Sequence, residues 1–312
     1  MKVGVIMNPV AGGGRLKRRW PEIAAALQGA LGEVMLRETA MPRDAVTLAM
    51  DLAANGCGLV IAAGGDGTAG EVADGLINAA AEGHRAALGV LPCGTGTDFA
   101  RGLGLGQNGD YQAAIRRMAA STGRVIDAGR MSYVDDNGAL ASRHFINIAS
   151  LGLSGAVVRA VNADERRNRV SAQALFFWRT VTEFLRYRFQ HVRITVDDGE
   201  PVEARIALVA AANGQFFGAG MMVAPDAALD DGQIDIVILR AAGKLGLIRD
   251  IRLLYGGRHR NHHAITILRG RKVTIEPIGP DASPILVEAD GDSPGQAPAT
   301  FEVVPRALTL RD

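Results

Sequence analysis

The stretch Leu59-Val60-Ile61-Ala62-Ala63-Gly64-Gly65-Asp66-Gly67-Thr68 decides how this chain folds. Its apolar half has the length and β-branched content of a buried strand, and it stops at three glycines set around one acid. A strand that ends this way delivers a loop. Gly64, Gly65 and Gly67 permit dihedrals closed to other residues and leave no Cβ between an anion and the backbone N–H groups. Asp66 is the charge at the tip, a hard oxygen donor suited to a hydrated metal ion. Thr68 is placed to cap a helix beginning at Ala69 and to reach a phosphate oxygen. An ordinary strand-to-helix turn requires fewer glycines than this.

Toward the N-terminus, Lys2 to Met7 reads as a first strand that runs into Asn8-Pro9-Val10-Ala11-Gly12-Gly13-Gly14, a turn that proline and glycine keep irregular. Leu16, Trp20, Ile23, Ala24, Leu27 and Leu31 then recur at helical spacing. The first turn of that helix carries Arg15, Lys17, Arg18 and Arg19. Cations there oppose the helix dipole, so a nearby anion and a plainly solvated face are both open readings. A strand at Val34 to Arg37 ends at Glu38-Thr39, and a helix from Arg43 to Ala54 follows. Beyond the central stretch come an Ala-rich helix to Ala81, a strand at Ala87 to Leu91, and a second loop, Pro92-Cys93-Gly94-Thr95-Gly96-Thr97-Asp98-Phe99-Ala100-Arg101. Strands alternating with helices imply a parallel sheet, whose ligands bind beyond the carboxyl ends of the strands. Both glycine loops sit on that edge, a far more specific signal than either alone.

From about Val125 the pattern turns to short β-rich runs: Val125–Met131, His144–Ile148, Val192–Val196, Ala204–Ala211, Ile234–Leu239, Ile265–Leu268, Lys272–Ile275, Ile285–Glu288 and Thr300–Val304. They predict a sandwich or flattened barrel, interrupted by helices at Gly155 to Asn162, Ala172 to Tyr187 and Leu245 to Tyr255. Two domains follow, residues 1–125 and 126–312, with a return of the last few residues to the first domain left open. The cleft between them is the expected site.

Bulk properties narrow the class. A net charge of +1 argues against a nucleic-acid binder. No run of 18 apolar residues occurs, so no transmembrane helix is expected. Two cysteines, Cys57 and Cys93, are too few for a disulfide framework or a zinc site, and Met1 to Pro9 lacks a leader pattern. A cytoplasmic setting is expected.

Asn8-Pro9 with Gly12-Gly13, the Gly64 to Thr68 loop with Glu71, the Gly94 to Arg101 loop, and a β-rich half ending in Asp290-Gly291-Asp292 together resemble the diacylglycerol kinase catalytic-domain family, in particular its soluble bacterial lipid kinases. The resemblance covers essentially the whole chain. It implies an α/β + β fold: an N-terminal α/β nucleotide-binding domain with a parallel sheet, related to NAD kinases and phosphofructokinases, and a C-terminal β-rich sandwich domain. It also implies transfer of the γ-phosphate of ATP to a lipid hydroxyl with Mg2+. By that resemblance Asn8, Gly12, Gly13 and Thr39 belong to the nucleotide pocket, with Glu71 nearby. Gly64, Gly65, Asp66, Gly67, Thr68, Gly94 and Thr95 cradle the phosphates. Asp66 lies beside the catalytic metal, and Asp127 joins the active-site acids. A second magnesium site is implied at Asp231 with the backbone carbonyls of Ala228 and Gln233. A plain β-turn explains Asp230-Asp231-Gly232 as well.

The family usually ends this motif in Asp-Gly-Glu, with the glutamate as base, whereas this chain has Asp292 at that position. Losing one methylene draws the carboxylate back by roughly 1.5 Å, a C–C bond. A displacement of about 1 Å can cost on the order of a hundredfold in rate unless something compensates. Asp292 is the expected base, with Asp290 as its rival. Some relatives place a lysine where this chain has Gly13, and Arg15 is placed to supply that charge.

A lipid acceptor requires peripheral contact with the inner face of a membrane. Phe176, Phe177, Trp178, Phe184, Tyr187 and Phe189 cluster in one stretch with Arg179, Arg186 and Arg188. That is the composition of an interfacial helix, although an aromatic stripe at helical spacing is more often core. Phe216-Phe217 and the basic run from Arg249 through Lys272 are further candidates for bilayer contact. Diacylglycerol is the expected acceptor, with ceramide or a sphingoid base, phosphatidylglycerol and a polyprenol open. An ATP-NAD kinase and a non-catalytic lipid-binding protein stand as alternatives, and a homodimer is left open.

Overall fold

Continuous apolar runs that must be covered on both faces become a parallel sheet in the first part of the chain. The computed structural model describes residues 1–94, 96–105, 110–164, 172–244, 251–279 and 284–312. Thr95 and the first half of the helix expected at Leu245 to Tyr255 lie outside the described residues.

The chain divides into two compact units, Met1–Asp127 with Arg306–Asp312, and Ala128–Pro305. In the first, β1 (Lys2–Met7), α1 (Arg15–Leu31), β2 (Val34–Glu38), α2 (Asp44–Ala54), β3 (Cys57–Gly64), α3 (Asp66–Ala81), β4 (Ala87–Pro92), α4 (Asp98–Gly102) and α5 (Tyr111–Ala120) follow one another. The strands lie in the order β2-β1-β3-β4, all parallel. Leu59 to Ala63 is 1% exposed or less at every residue. Gly75 lets α3 close on α2, since a Cβ there would stand 2.3 Å from the Val46 carbonyl oxygen. Strand order reverses between β1 and β3, and a crevice opens at such a switch point, at the carboxyl ends of the strands. One boundary differs from expectation: α3 begins at Asp66 rather than Ala69, because Gly65, in an extended conformation, is its N-cap. Thr68 therefore sits inside the first turn, buried, and caps nothing.

Period-two alternation dominates the second unit. β5 (Arg124–Asp135) enters it, followed by β6 (Leu140–Phe145), β7 (Ile148–Gly152), α6 (Leu153–Asn162), α7 (Ala172–Arg186), β8 (Gln190–Val196), β9 (Val202–Ala212), the small hairpin β10 (Phe216–Phe217) and β11 (Met221–Met222), β12 (Ile234–Arg240), β13 (Ile265–Gly270), β14 (Lys272–Pro277), β15 (Leu286–Ala289) and β16 (Asp292–Arg311). β9 pairs with β8 along its first half and with β7 along its second. From β8 the pairing continues through β14, β16 and β15 back to β7, so the path closes on itself as a flattened barrel. Inside it Phe145 and Phe301 meet edge to face, their centroids 6.4 Å apart, among Ile206, Val273, Ile275 and Val287.

The run His144 to Ile148, read as one strand, is the break between β6 and β7. Its backbone N–H groups from Ile146 to Ile148 turn to the carboxylate of Asp290 instead of a neighbouring strand. Ile251–Gly256 is a 3-10 helix. The last residues, Arg306–Asp312, return to the first unit, where Leu310 and Arg311 pair in parallel with Leu88 and Gly89 of β4.

Candidate active site

In the first unit the two glycine loops are stapled together by backbone. Gly64 ends β3 with its carbonyl accepting from both Cys93 and Gly94 N–H, at 2.9 and 2.8 Å. The Asp66 N–H donates to the Gly96 carbonyl at 3.0 Å. No side chain larger than hydrogen fits the join: a Cβ on Gly94 would lie 2.4 Å from the Gly65 Cα, and one on Gly65 would lie 2.8 Å from the Gly96 oxygen. The loop after β1 joins them at the switch point. Asn8 donates from its backbone to the Ala63 carbonyl and from its side chain to the Thr68 hydroxyl. Gly12, Gly13 and Gly14 all hold positive φ, and a Cβ on Gly12 would stand 2.9 Å from the Cys93 carbonyl oxygen. Asn8, Gly12, Gly64, Gly65, Asp66, Thr68 and Gly94 are thus brought together.

Asp66 occupies the centre of this join. Its two carboxylate oxygens accept from the Asp98 and Phe99 N–H groups at 2.9 and 3.0 Å, so one loop's acid caps the helix that follows the other. Burial and the neighbouring Asp98 charge push its carboxyl up to about 6, against those two hydrogen bonds. A divalent cation there would relieve both penalties. Magnesium takes one or two carboxylates plus phosphate oxygens, and Asp66 with buried Asp98 beside it offers that donor chemistry. The first N–H groups of α3 have no intrahelical acceptor and, among the described residues, no capping side chain, which leaves Gly67 and Thr68 as anion donors. Arg15 donates to the Gly12 carbonyl at 2.9 Å, beside the same loop.

Other expected residues stand in supporting positions. Thr39 bonds through its N–H to the Met7 carbonyl, at the end of β1. Glu71 accepts from the Arg43 N–H, and Arg43 pairs with buried Asp74 at 2.7 Å. Buried Asp127 accepts from the Arg306 N–H at 2.6 Å, where the returning segment joins the first unit.

In the second unit Asp290-Gly291 forms a two-residue hairpin turn between β15 and β16, with positive φ at both residues, the geometry for which Asp-Gly is favoured. The turn separates the two candidate bases. Asp290 is 7% exposed, and its carboxylate accepts the Ile146, Asn147 and Ile148 N–H groups at 2.9 to 3.2 Å. That leaves it a structural clamp. The Asp292 side chain is 47% exposed and held by Arg143 at 2.8 Å.

Sequence reasoning passed over Arg143, Asp98 as a partner of Asp66, and Glu288. Glu288 accepts from the Gly291 N–H at 2.8 Å and lies 2.5 Å from the Ser150 hydroxyl. Its signal was a charge closing an otherwise apolar strand run, Ile285-Leu286-Val287.

At the expected second magnesium site the Asp231 carboxylate is engaged within the protein. One oxygen of Asp231 accepts from the Gln233 N–H, and the other pairs with Arg269, which also bridges to Asp235. Ala228 and Gln233 flank the turn at residues 229–232.

Of the aromatic residues expected at a membrane, Phe177 and Trp178 are 66% and 56% exposed. Phe176 packs against Leu153, Val157 and Phe184, and Phe217 against the outer sheet cluster with Leu254. Phe216 is half-buried and its carbonyl accepts from Asn147. Among the described residues no helix is long and apolar enough to cross a membrane.

Residues 2–131 match the diacylglycerol kinase catalytic domain, and residues 147–311 match the YegS C-terminal NAD kinase beta sandwich-like domain. The chain is 29% identical to a diacylglycerol kinase of Bacillus subtilis over 95% of its length and 91% of that protein's. It is 28% identical to a diacylglycerol kinase of Mycobacterium tuberculosis over 99% and 94%. A crystal structure of a diacylglycerol kinase from Bacillus anthracis superposes with a TM-score of 0.70 at 23% identity, covering 99% of this chain and 96% of that one.

Proposed function

We infer the activity from one premise: the chain belongs to the diacylglycerol kinase catalytic-domain family and carries a YegS-type C-terminal domain. It is a kinase acting on a lipid alcohol. On our reading the donor is ATP and the acceptor is diacylglycerol. The observation that carries this is the backbone staple between the Gly64–Thr68 and Cys93–Asp98 loops, with the Asp66 carboxylate at its centre.

Phosphoryl transfer asks the protein to hold the donor, neutralise charge and orient the nucleophile. Glycine-loop N–H groups and the first turn of α3 hold the triphosphate in the first unit. Magnesium held by Asp66 and phosphate oxygens would neutralise charge on the transferring group. In the second unit Asp292, fixed by Arg143, orients the acceptor hydroxyl and takes its proton.

Labelled ATP offered with diacylglycerol, ceramide, a sphingoid base, phosphatidylglycerol and a polyprenol tests the reading. We expect the strongest transfer to diacylglycerol, and a preference for another lipid would reassign the acceptor. Asp292→Asn is expected to lower turnover by about 10²–10⁴-fold with the thermal transition unchanged. Asp66→Asn is expected to lose turnover at least as severely. Wild-type rates in either variant would remove that residue from the chemistry.

A further inference from the structure

We propose that Glu288 is a positioning residue, whose buried side chain ties the turn bearing Asp292 to helix α6 through Ser150 and Ser154. The proposal rests on the reading of Asp292 as the base.

The tie is continuous. Glu288, 2% exposed, accepts the Gly291 N–H at 2.8 Å through one oxygen. Its other oxygen lies 2.5 Å from the Ser150 hydroxyl, and Ser150 lies 2.8 Å from the Ser154 hydroxyl on α6. Ser150 and Ser154 are buried as well. α6 lies directly against β15, where a Cβ on Gly155 would stand 2.4 Å from the Leu286 carbonyl oxygen. The same helix reaches the hairpin twice more, from Asn162 to the Gly291 carbonyl and from Arg159 to the Ser293 carbonyl. The position of the turn is therefore referred to α6, and Glu288 is its buried anchor.

The hydrogen bonds close in either protonation state, since a serine hydroxyl can donate or accept. Ser150 donates to one Glu288 oxygen and can accept from Ser154, while the other Glu288 oxygen accepts from the Gly291 N–H. The charges near it are unfavourable to an anion. Asp290 and Asp292 share its hairpin, β7 and α6 present Ser150 and Ser154, and Arg159 of α6 is engaged with Asp136 and the Ser293 carbonyl. Burial foremost, with those two aspartates, pushes the Glu288 carboxyl up to about 8. At neutral pH the anchor is uncharged. Above about pH 8 it becomes a third negative charge beside the turn.

The experiment is turnover against pH for wild type, Glu288→Gln, Glu288→Ala and Asp292→Asn, with ATP and diacylglycerol in mixed micelles. Glutamine keeps both hydrogen bonds and cannot ionise. Glu288→Gln is expected to stay within about threefold of wild type at pH 7 and to lack the wild-type decline above about pH 8. Glu288→Ala is expected to lose about tenfold or more in kcat with KM for ATP unchanged, since ATP is held elsewhere. Should the alanine variant fail to fold, the glutamine profile decides alone. An alkaline decline in Glu288→Gln equal to that of wild type overturns the proposal, as does full activity of Glu288→Ala while Asp292→Asn is dead. Wild-type activity in Asp292→Asn instead brings down the base assignment, and the positioning role with it.

Discussion

Gly94 and Gly83 show what a single hydrogen atom is worth in two places. Gly83 has φ of 94° with open space around it, whereas Gly94 has its would-be Cβ 2.4 Å from backbone of the facing loop. Gly83→Ala is expected to cost about 1 kcal/mol from the left-handed backbone alone, with activity retained. Gly94→Ala must pry the two loops apart, so KM for ATP is expected to rise at least tenfold, with about 1–3 kcal/mol of overpacking cost in a denaturant titration. Equal ATP affinity in the two variants would detach the staple from nucleotide binding. The glycine loops were legible because their chemistry is local: glycine at a strand end needs no partner to be recognised. The choice between Asp290 and Asp292 was not legible. It depends on which carboxylate meets the N–H groups of Ile146 to Ile148, residues 142 to 144 positions away in the chain.

At the scale of an element, α7 resolves two readings that periodicity left side by side. Phe176 and Phe184 face α6, and Arg179 pairs with buried Asp164 at 2.6 Å. Phe177, Trp178 and Leu185 face outward instead, with exposed Arg186 and Arg188 close by in sequence. Hydrophobic spacing locates a helix but does not say how many of its faces are covered, so the stripe proved to be core on one side and exposed on the other. We propose that the exposed side meets an anionic bilayer, where apolar area and cations act together. Phe177→Ser with Trp178→Ser is expected to reduce pelleting with phosphatidylglycerol vesicles at least fivefold while leaving the thermal transition in place. Phe176→Ser is expected to lower that transition by several degrees, roughly 2–4 °C per kcal/mol for a domain of this size. Equal pelleting of wild type and the double variant, or of wild type on neutral and anionic vesicles, would dismiss the face as an anchor. The strand break at Ile146-Asn147 shows the opposite limit: a run of β-forming residues does not announce that a distant carboxylate takes over its N–H groups.

Across the whole molecule, the carboxyls of Glu288 and Asp66 set a pH dependence of stability whose sign can be worked out. Glu288 shifts from 4.5 to about 8 and Asp66 from 3.8 to about 6. Both folded values lie above the unfolded ones, so between each pair of values the native state binds more protons than the unfolded chain. Stability therefore falls as pH rises through those windows. For Asp66 the loss runs from about pH 4 to 6, and for Glu288 from about pH 4.5 to 8. Each accounts for on the order of a few kcal/mol at the top of its window. Glutamine at position 288 removes one window and preserves the shape of the side chain. Wild type and Glu288→Gln are accordingly expected to unfold at the same temperature at pH 4.5, with the variant pulling ahead steadily and standing roughly 5 °C or more above wild type by pH 8. Differential scanning calorimetry over that range decides it. A constant offset between the two proteins would mean that folding does not raise this carboxyl, which would remove the alkaline loss of charge balance at the turn.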